Sequence, residues 1–342
     1  MIAVETDFPQ LPSALRASRP AERRGIRRDH VKLLVIDRKT EAVHHARFDR
    51  LGDMLGPGDL LVVNTSRVLP AGVRAVRASG QAIQLRPCVR RAGSWDALCV
   101  QPGPPFENVA LTEGETLRIG ETVVMVAGRR PDIPLLWRLR LEPAEDLELI
   151  LRYGEPIRYS YVPEPLPLDS YQTVYASRPG SAEAPSAGRP FSWELLAALR
   201  GRGVGLADVV LHTGLSSFQD DAFDAEHHLF EEWFEVSPAT ARAVNGAERV
   251  VAVGTTVVRA LESAVAWEGR VVPGRNWTRL AIGPERPPRA VDALITGLHE
   301  PQASHFDLLR AFVPEALLRR AYAEAVERGY LWHEFGDSAL II

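Results

Sequence analysis

Between residues 72 and 150 the hydrophobic pattern changes period, and that change limits the chain to few architectures. "GVRAVRASGQAIQLRPCVRRAGSWDALCVQPG" and "ETLRIGETVVMVAGRRPDIPLLWRLRLE" alternate apolar and polar residues, with breaks at Gly and Pro. Short antiparallel strands of a small barrel or sandwich read this way. Outside that stretch, strands alternate with helices. "VKLLVID" is a strand, and residues 59 to 63 are another after the turn at Pro57-Gly58. Ser192 caps a helix over "WELLAALR", "VGLADVVLH" and "RVVAVG" are strands, and "TTVVRALESAVAW" is a helix. A strand at "AVDALITGLH" and helices in "SHFDLLRAFV" and "PEALLRRAYAEAVERGY" follow. Such alternation predicts an α/β class with a largely parallel sheet. The expected organisation is a discontinuous α/β domain, 1–71 and 151–342, enclosing an inserted antiparallel β-barrel domain, 72–150.

At 342 residues, 46% hydrophobic and 25% charged, the composition is that of a globular enzyme. No apolar run reaches membrane-spanning length, and "MIAVETDFPQLPSAL" lacks the features of a signal peptide. Cys88 and Cys99 make neither a disulfide framework nor a zinc site, so a reducing cytoplasm is expected. The histidine pairs His44-His45 and His227-His228 lack metal-ligand spacing, and no metal is expected. Net charge is −4, which attracts no nucleic acid as a whole. Locally, Arg16, Arg19, Arg23, Arg24, Arg27, Arg28 and Lys32 face only Glu22 and Asp29. That segment is either a phosphate-binding patch or a solvated terminus.

Polar residues gather where apolar strands end. In "RVVAVGTTVVRALES", Gly254, Thr255 and Thr256 turn a buried strand into a helix whose first amides and partial positive charge suit an anion, with Arg259 one turn on. "VVNTSRVLPAG" offers Asn64, Thr65, Ser66 and Arg67 at another strand exit. "DVVLHTGLSSF" and "DALITGLHEP" end strands with His212, Gly214 and His299. In open α/β sheets ligands bind beyond such carboxyl ends. Each segment alone also reads as a capped turn. The stretch "YQTVYASRPGSAEAPSAGRPF" places small residues, including Ser186 and Gly188, between aromatic anchors, as a loop lying close to a ligand would.

Taken in order along the chain, "VVNTSRVLPAG", "YQTVYASRPGSAEAPSAGRPF", "VVLHTGLSSF", "VVAVGTTVVRALESA", "AVDALITGLHEP" and "FGDSALII" resemble the S-adenosylmethionine:tRNA ribosyltransferase-isomerases of queuosine biosynthesis. The resemblance implies an α/β domain with an inserted barrel. It implies S-adenosylmethionine as cosubstrate, and a 7-aminomethyl-7-deazaguanine in a tRNA anticodon loop as acceptor of its ribosyl part. The product would carry an epoxycyclopentane ring, with adenine and methionine released. It also makes His299, His212 and Glu232 candidates for proton transfer, with Asn64 to Arg67, Ser186, Gly188, Gly214, Gly254 to Thr256 and Arg259 around the cosubstrate. Departures fall on side chains that handle protons. Pro190 replaces a histidine in the family's A-P-T-A-G-L-H-F loop, and Phe230 replaces one in H-x-M-H-S-E. A diverged relative using a small-molecule acceptor, or merely fragmenting the sulfonium, and a non-catalytic ligand binder are the other readings. The full-length match and the N-terminal arginines favour the tRNA enzyme.

Overall fold

The computed structural model describes residues 11–142, 146–215, 218, 231–299 and 304–342. The hairpin β1 (Lys32–Asp37) and β2 (Ala42–Arg47) leads through a 3-10 helix over Phe48–Asp53 to β3 (Asp59–Asn64) and the short β4 (Ser66–Val68). The chain then makes β5 (Gly72–Arg77), β6 (Ala82–Arg91), β7 (Ser94–Val100), β8 (Thr116–Ile119), β9 (Thr122–Arg129) and β10 (Leu136–Arg140). These pair in the order β5-β6-β7-β10-β9-β8, and β8 closes back on β5. The closed antiparallel barrel is filled by Trp95, Leu98, Ile119, Val124 and Leu139, all at most 1% exposed. The alternation read from the sequence is the in–out alternation of barrel strands, as in β8, where Leu117 and Ile119 are buried and Thr116 and Arg118 exposed.

Helix α1 (Asp146–Tyr153) and β11 (Gly154–Glu155) return the chain, and β12 (Arg178–Ser181) pairs parallel with β4. Then come α2 (Trp193–Gly201), β13 (Gly205–Leu211), β14 (Glu232–Val236), α3 (Pro238–Gly246), β15 (Arg249–Val253) and α4 (Thr255–Ser263). The described chain finishes with β16 (Gly274–Thr278), β17 (Ala293–Gly297), α5 (Ser304–Arg310), α6 (Glu315–Glu327) and β18 (Ser338–Ile341). Ser192 caps α2 as expected, its hydroxyl accepting the Leu195 amide at 3.1 Å.

The large sheet runs β16-β14-β13-β3-β15-β17-β18-β1-β2. Its centre, β13-β3-β15-β17, is parallel, and β1 pairs parallel with β18. The remaining contacts are antiparallel. The central strands are buried on both faces, which explains their continuous apolar runs. Leu34, Ile36, Leu60 and Val62 pack under α4, α5 and α6, whereas Leu33, Val35, Leu61 and Val63 pack under α2 and Phe191. Because β3, β13, β15 and β17 point the same way, their carboxyl ends emerge along one edge.

Candidate active site

Asn64 ends β3 and ties this edge together. Its Oδ1 accepts the amides of Leu211 and Ser66, each at 3.0 Å, and its Nδ2 donates to the Leu211 carbonyl at 2.9 Å and to Thr256 Oγ1 at 3.3 Å. One buried amide thus fixes the ends of β3 and β13 and the start of α4. Thr65 adds a backbone and a hydroxyl bond to the Val209 carbonyl, while its own carbonyl accepts the amides of Ser177 and Arg178. The loop that begins at β12 is thereby pinned beside the strand ends.

That pinning builds a hydroxyl–imidazole cluster. Ser66 Oγ lies 2.8 Å from His212 Nδ1 and 2.6 Å from Ser181 Oγ, which also accepts the Thr213 amide at 3.1 Å. Trp233 stacks on the imidazole at 5.1 Å. Burial, helped by the charges of Arg90 and Arg178, pushes His212 down to about 4, so the ring is neutral at physiological pH. Gly180 makes the contact possible. A Cβ there would sit 2.1 Å from His212 Nδ1.

The turn into α4 starts from Gly254, whose φ of +92° favours glycine and whose missing side chain leaves the helix start without a side-chain cap. Ala187 abuts it from the small-residue loop, and Ser186 of the same loop approaches Gly297 at the end of β17. Gly188 is equally tight, since a Cβ there would lie 2.1 Å from the Tyr175 hydroxyl. Glu232 Oε1 accepts the Gly214 amide at 3.0 Å and Oε2 pairs with Arg259, whose Nε donates to the Leu280 carbonyl. Arg259 Nη2 is buried and has no partner. His299 Nε2 bonds Thr296 Oγ1 at 2.9 Å beyond β17.

Most of the expected residues therefore share one edge, but not one point. His212 and His299 follow β13 and β17, which are three strand spacings, roughly 14 Å, apart. Arg67 is exposed between the buried Ser66 and Val68, so it projects from the opposite side of β4. The N-terminal arginines are less free than their number implies. Arg27 pairs with Asp29, Arg28 with Glu22 and Arg19 with Glu164, and Arg24 donates to the Phe335 carbonyl. Residues 227–230, including Phe230, lie outside the described residues. Sequence reasoning gave no role to Glu231, which joins the barrel's Arg91 and Arg130 to Arg279 beyond β16. Those partners are far apart in the chain, and no local pattern marks them.

An α/β sheet with a ligand-sized edge of amides, hydroxyls and imidazoles, joined to a closed barrel, defines a two-domain enzyme of the transferase type. The family described as "Queuosine biosynthesis protein" matches residues 5–341, and this chain belongs to it. It is 39% identical to the S-adenosylmethionine:tRNA ribosyltransferase-isomerase of Rubrobacter xylanophilus, over 99% of this chain and 97% of that one. It is 37% identical to the Thermotoga petrophila enzyme of the same name, with 99% of each covered. The crystal structure of an S-adenosylmethionine tRNA ribosyltransferase from Thermotoga maritima superposes with a TM-score of 0.54 at 30% identity, covering 98% of this chain and 99% of that one. Among the described residues, no helix is long and apolar enough to cross a membrane.

Proposed function

We propose that this chain transfers and isomerises the ribosyl moiety of S-adenosylmethionine onto a 7-aminomethyl-7-deazaguanine base in tRNA. The product is epoxyqueuosine, and adenine and methionine leave. The observation that carries this reading is the end-to-end similarity to relatives of that name in a chain whose Asn64, Ser66, His212, Glu232 and Arg259 interlock at one sheet edge. The residues present fit the cosubstrate. The uncapped start of α4 and the unpartnered Arg259 Nη2 suit its carboxylate, and the small-residue loop at Ser186 and Gly188 admits a flat ring. S-adenosylmethionine, when bound, supplies the ribosyl carbons and a sulfonium that acidifies the adjoining carbon.

The protein's part is to orient groups and to move a proton. His212 is too weak a base to hold a proton near neutrality, so its role is to orient Ser66 and Ser181. Glu232 has both oxygens engaged and holds Gly214 and Arg259 in place. His299 is left as the base. The test incubates the protein with S-adenosylmethionine, with and without substrate tRNA, and measures adenine and methionine. Release that depends on tRNA is expected. His299→Ala should lower turnover by roughly 10²–10⁴ while cosubstrate affinity stays. Near-normal turnover in that variant would place the base elsewhere, and tRNA-independent release would favour a small-molecule acceptor.

A further inference from the structure

On the far side of the loop that carries Ser181 lies a second group of side chains. Tyr159, Tyr161 and His333 form a three-ring stack, with centroids 5.6 Å and 4.6 Å apart and interplanar angles of 16° and 23°. All three are half-buried. Polar atoms around the stack are buried without hydrogen-bond partners, namely Glu334 Oε2, the hydroxyls of Tyr161 and Tyr171, and Nη2 of Arg86. Arg86 and Tyr171 are each 2% exposed. The Arg86 guanidinium lies 4.5 Å from the Phe106 centroid, and Arg158 also packs on that ring at 5.4 Å. Orphaned buried polar groups are rare in proteins, and several at one seam point to a ligand that completes them.

The charges say which ligand. Tyr159 is held well above its ordinary value by burial and then by the neighbouring carboxylates of Glu334 and Glu183. Two acids therefore border one face of an aromatic stack. Burial raises the Glu334 carboxyl to about 7, and an ammonium group beside it would restore the ionised form. A cation also gains from the ring faces. The ligand chemistry is a flat ring bearing an amine.

The position agrees. Ser181 faces Ser66 and His212, whereas Glu183, whose carbonyl accepts Thr213 Oγ1 at 3.3 Å, and Ala184, which bonds Tyr159, face the stack. A transfer reaction needs two ligands meeting across a thin partition, and residues 181–184 form one.

We propose that the seam formed by Tyr159, Tyr161, His333, Glu334 and Arg86 is the acceptor site, where the aminomethyl-bearing base stacks on the rings and its amine bonds Glu334. This rests on the function proposed above. The test measures binding of anticodon stem-loops carrying either 7-aminomethyl-7-deazaguanine or guanine to wild type, Glu334→Gln and Tyr161→Phe. Calorimetry with S-adenosylmethionine runs in parallel, and melting curves check folding. Wild type should prefer the aminomethyl loop. Glu334→Gln should cut that preference about tenfold to a hundredfold and raise KM more than it lowers kcat, with S-adenosylmethionine affinity kept. Tyr161→Phe, which removes only a hydroxyl, should cut it less. An unchanged preference in both variants overturns the site but leaves the function standing. Weakened S-adenosylmethionine binding with an unchanged preference assigns the seam to the cosubstrate instead. A wild type with no preference and no tRNA-dependent adenine release overturns the function and the site together.

Discussion

The strand-end cluster and the Glu231 network both join distant parts of the chain, but with opposite chemistry. Asn64, Ser66, Ser181 and His212 form an uncharged, buried mesh in which each bond has a defined donor and acceptor. Around Glu231, Asp132 and Asp96, four arginines, Arg91, Arg130, Arg138 and Arg279, make a charged clasp between barrel and sheet, and they line a cavity of about 560 Å³. Neutral bonds fix atoms regardless of salt and near-neutral pH, which suits a reaction centre. Ion pairs with half-exposed arginines tolerate sliding and respond to salt, which suits a joint between domains. The two meet at adjacent residues, because Glu231 clasps the barrel while Glu232 holds Gly214 and Arg259.

The sharpest way to break the comparison is Asn64→Ala. It strands the amides of Leu211 and Ser66 in a dry site, at about 1–3 kcal/mol each. A loss of roughly 3–5 kcal/mol is expected in denaturant titrations, independent of salt. A loss below 1 kcal/mol would mean the mesh is not what holds the edge. Gly180→Ala comes next, because its new Cβ displaces His212 without altering any charge. Turnover should fall about 10²-fold with modest change in melting temperature.

Glu231→Gln should cost about 1–3 kcal/mol, discounted for the exposure of Arg91 and Arg279, and the loss should shrink in 0.5 M salt. Its pH signature is defined. Arg130, Arg91 and Arg279 hold Glu231 well below the usual carboxylate range, against the opposing effect of burial, and Arg130 holds Asp132 at about 2. Stability from a depressed carboxylate is present above its unfolded value, about 4, and is lost as pH falls through the folded value. Wild type and variant should therefore differ fully at pH 6 and converge towards pH 2. A difference constant over that range would show that the clasp contributes by packing alone. The smallest effect expected is at Cys88 and Cys99. Burial raises both thiols, Cys99 to about 12, so the native protein should resist thiol reagents and the unfolded protein should not.

What was legible in the sequence followed from local physics. Apolar runs ending in Asn64, His212, Gly254 and Gly297 marked parallel strand ends, because doubly buried strands must be apolar and their exits polar. Alternation marked the barrel. The antiparallel flanks of the sheet were not legible, since strand direction at an edge is set by the whole topology. Arg67 shows a cost of reading composition without direction, as its place between two buried residues turns it outward. Ser181, Gly180 and Glu231 were missed because their partners lie far off in the chain. The loop around Ser186 was read correctly as a close-approach segment, but the reason is its fit to Gly254, Gly297 and Tyr175 rather than its composition.

The position of β18 bears on how the protein is made. This strand, residues 338–341, sits inside the sheet between β17 and β1, and Asp337 holds it there by accepting the Lys32 and Leu331 amides at 2.7 Å and 2.8 Å. The hairpin of β1 and β2, among the first segments synthesised, joins the sheet only through β18. On the ribosome the barrel can close early from neighbouring strands, but the main sheet waits for residue 341. Nascent chains stalled short of that point should hold a finished barrel beside an open sheet, a state that invites chaperones.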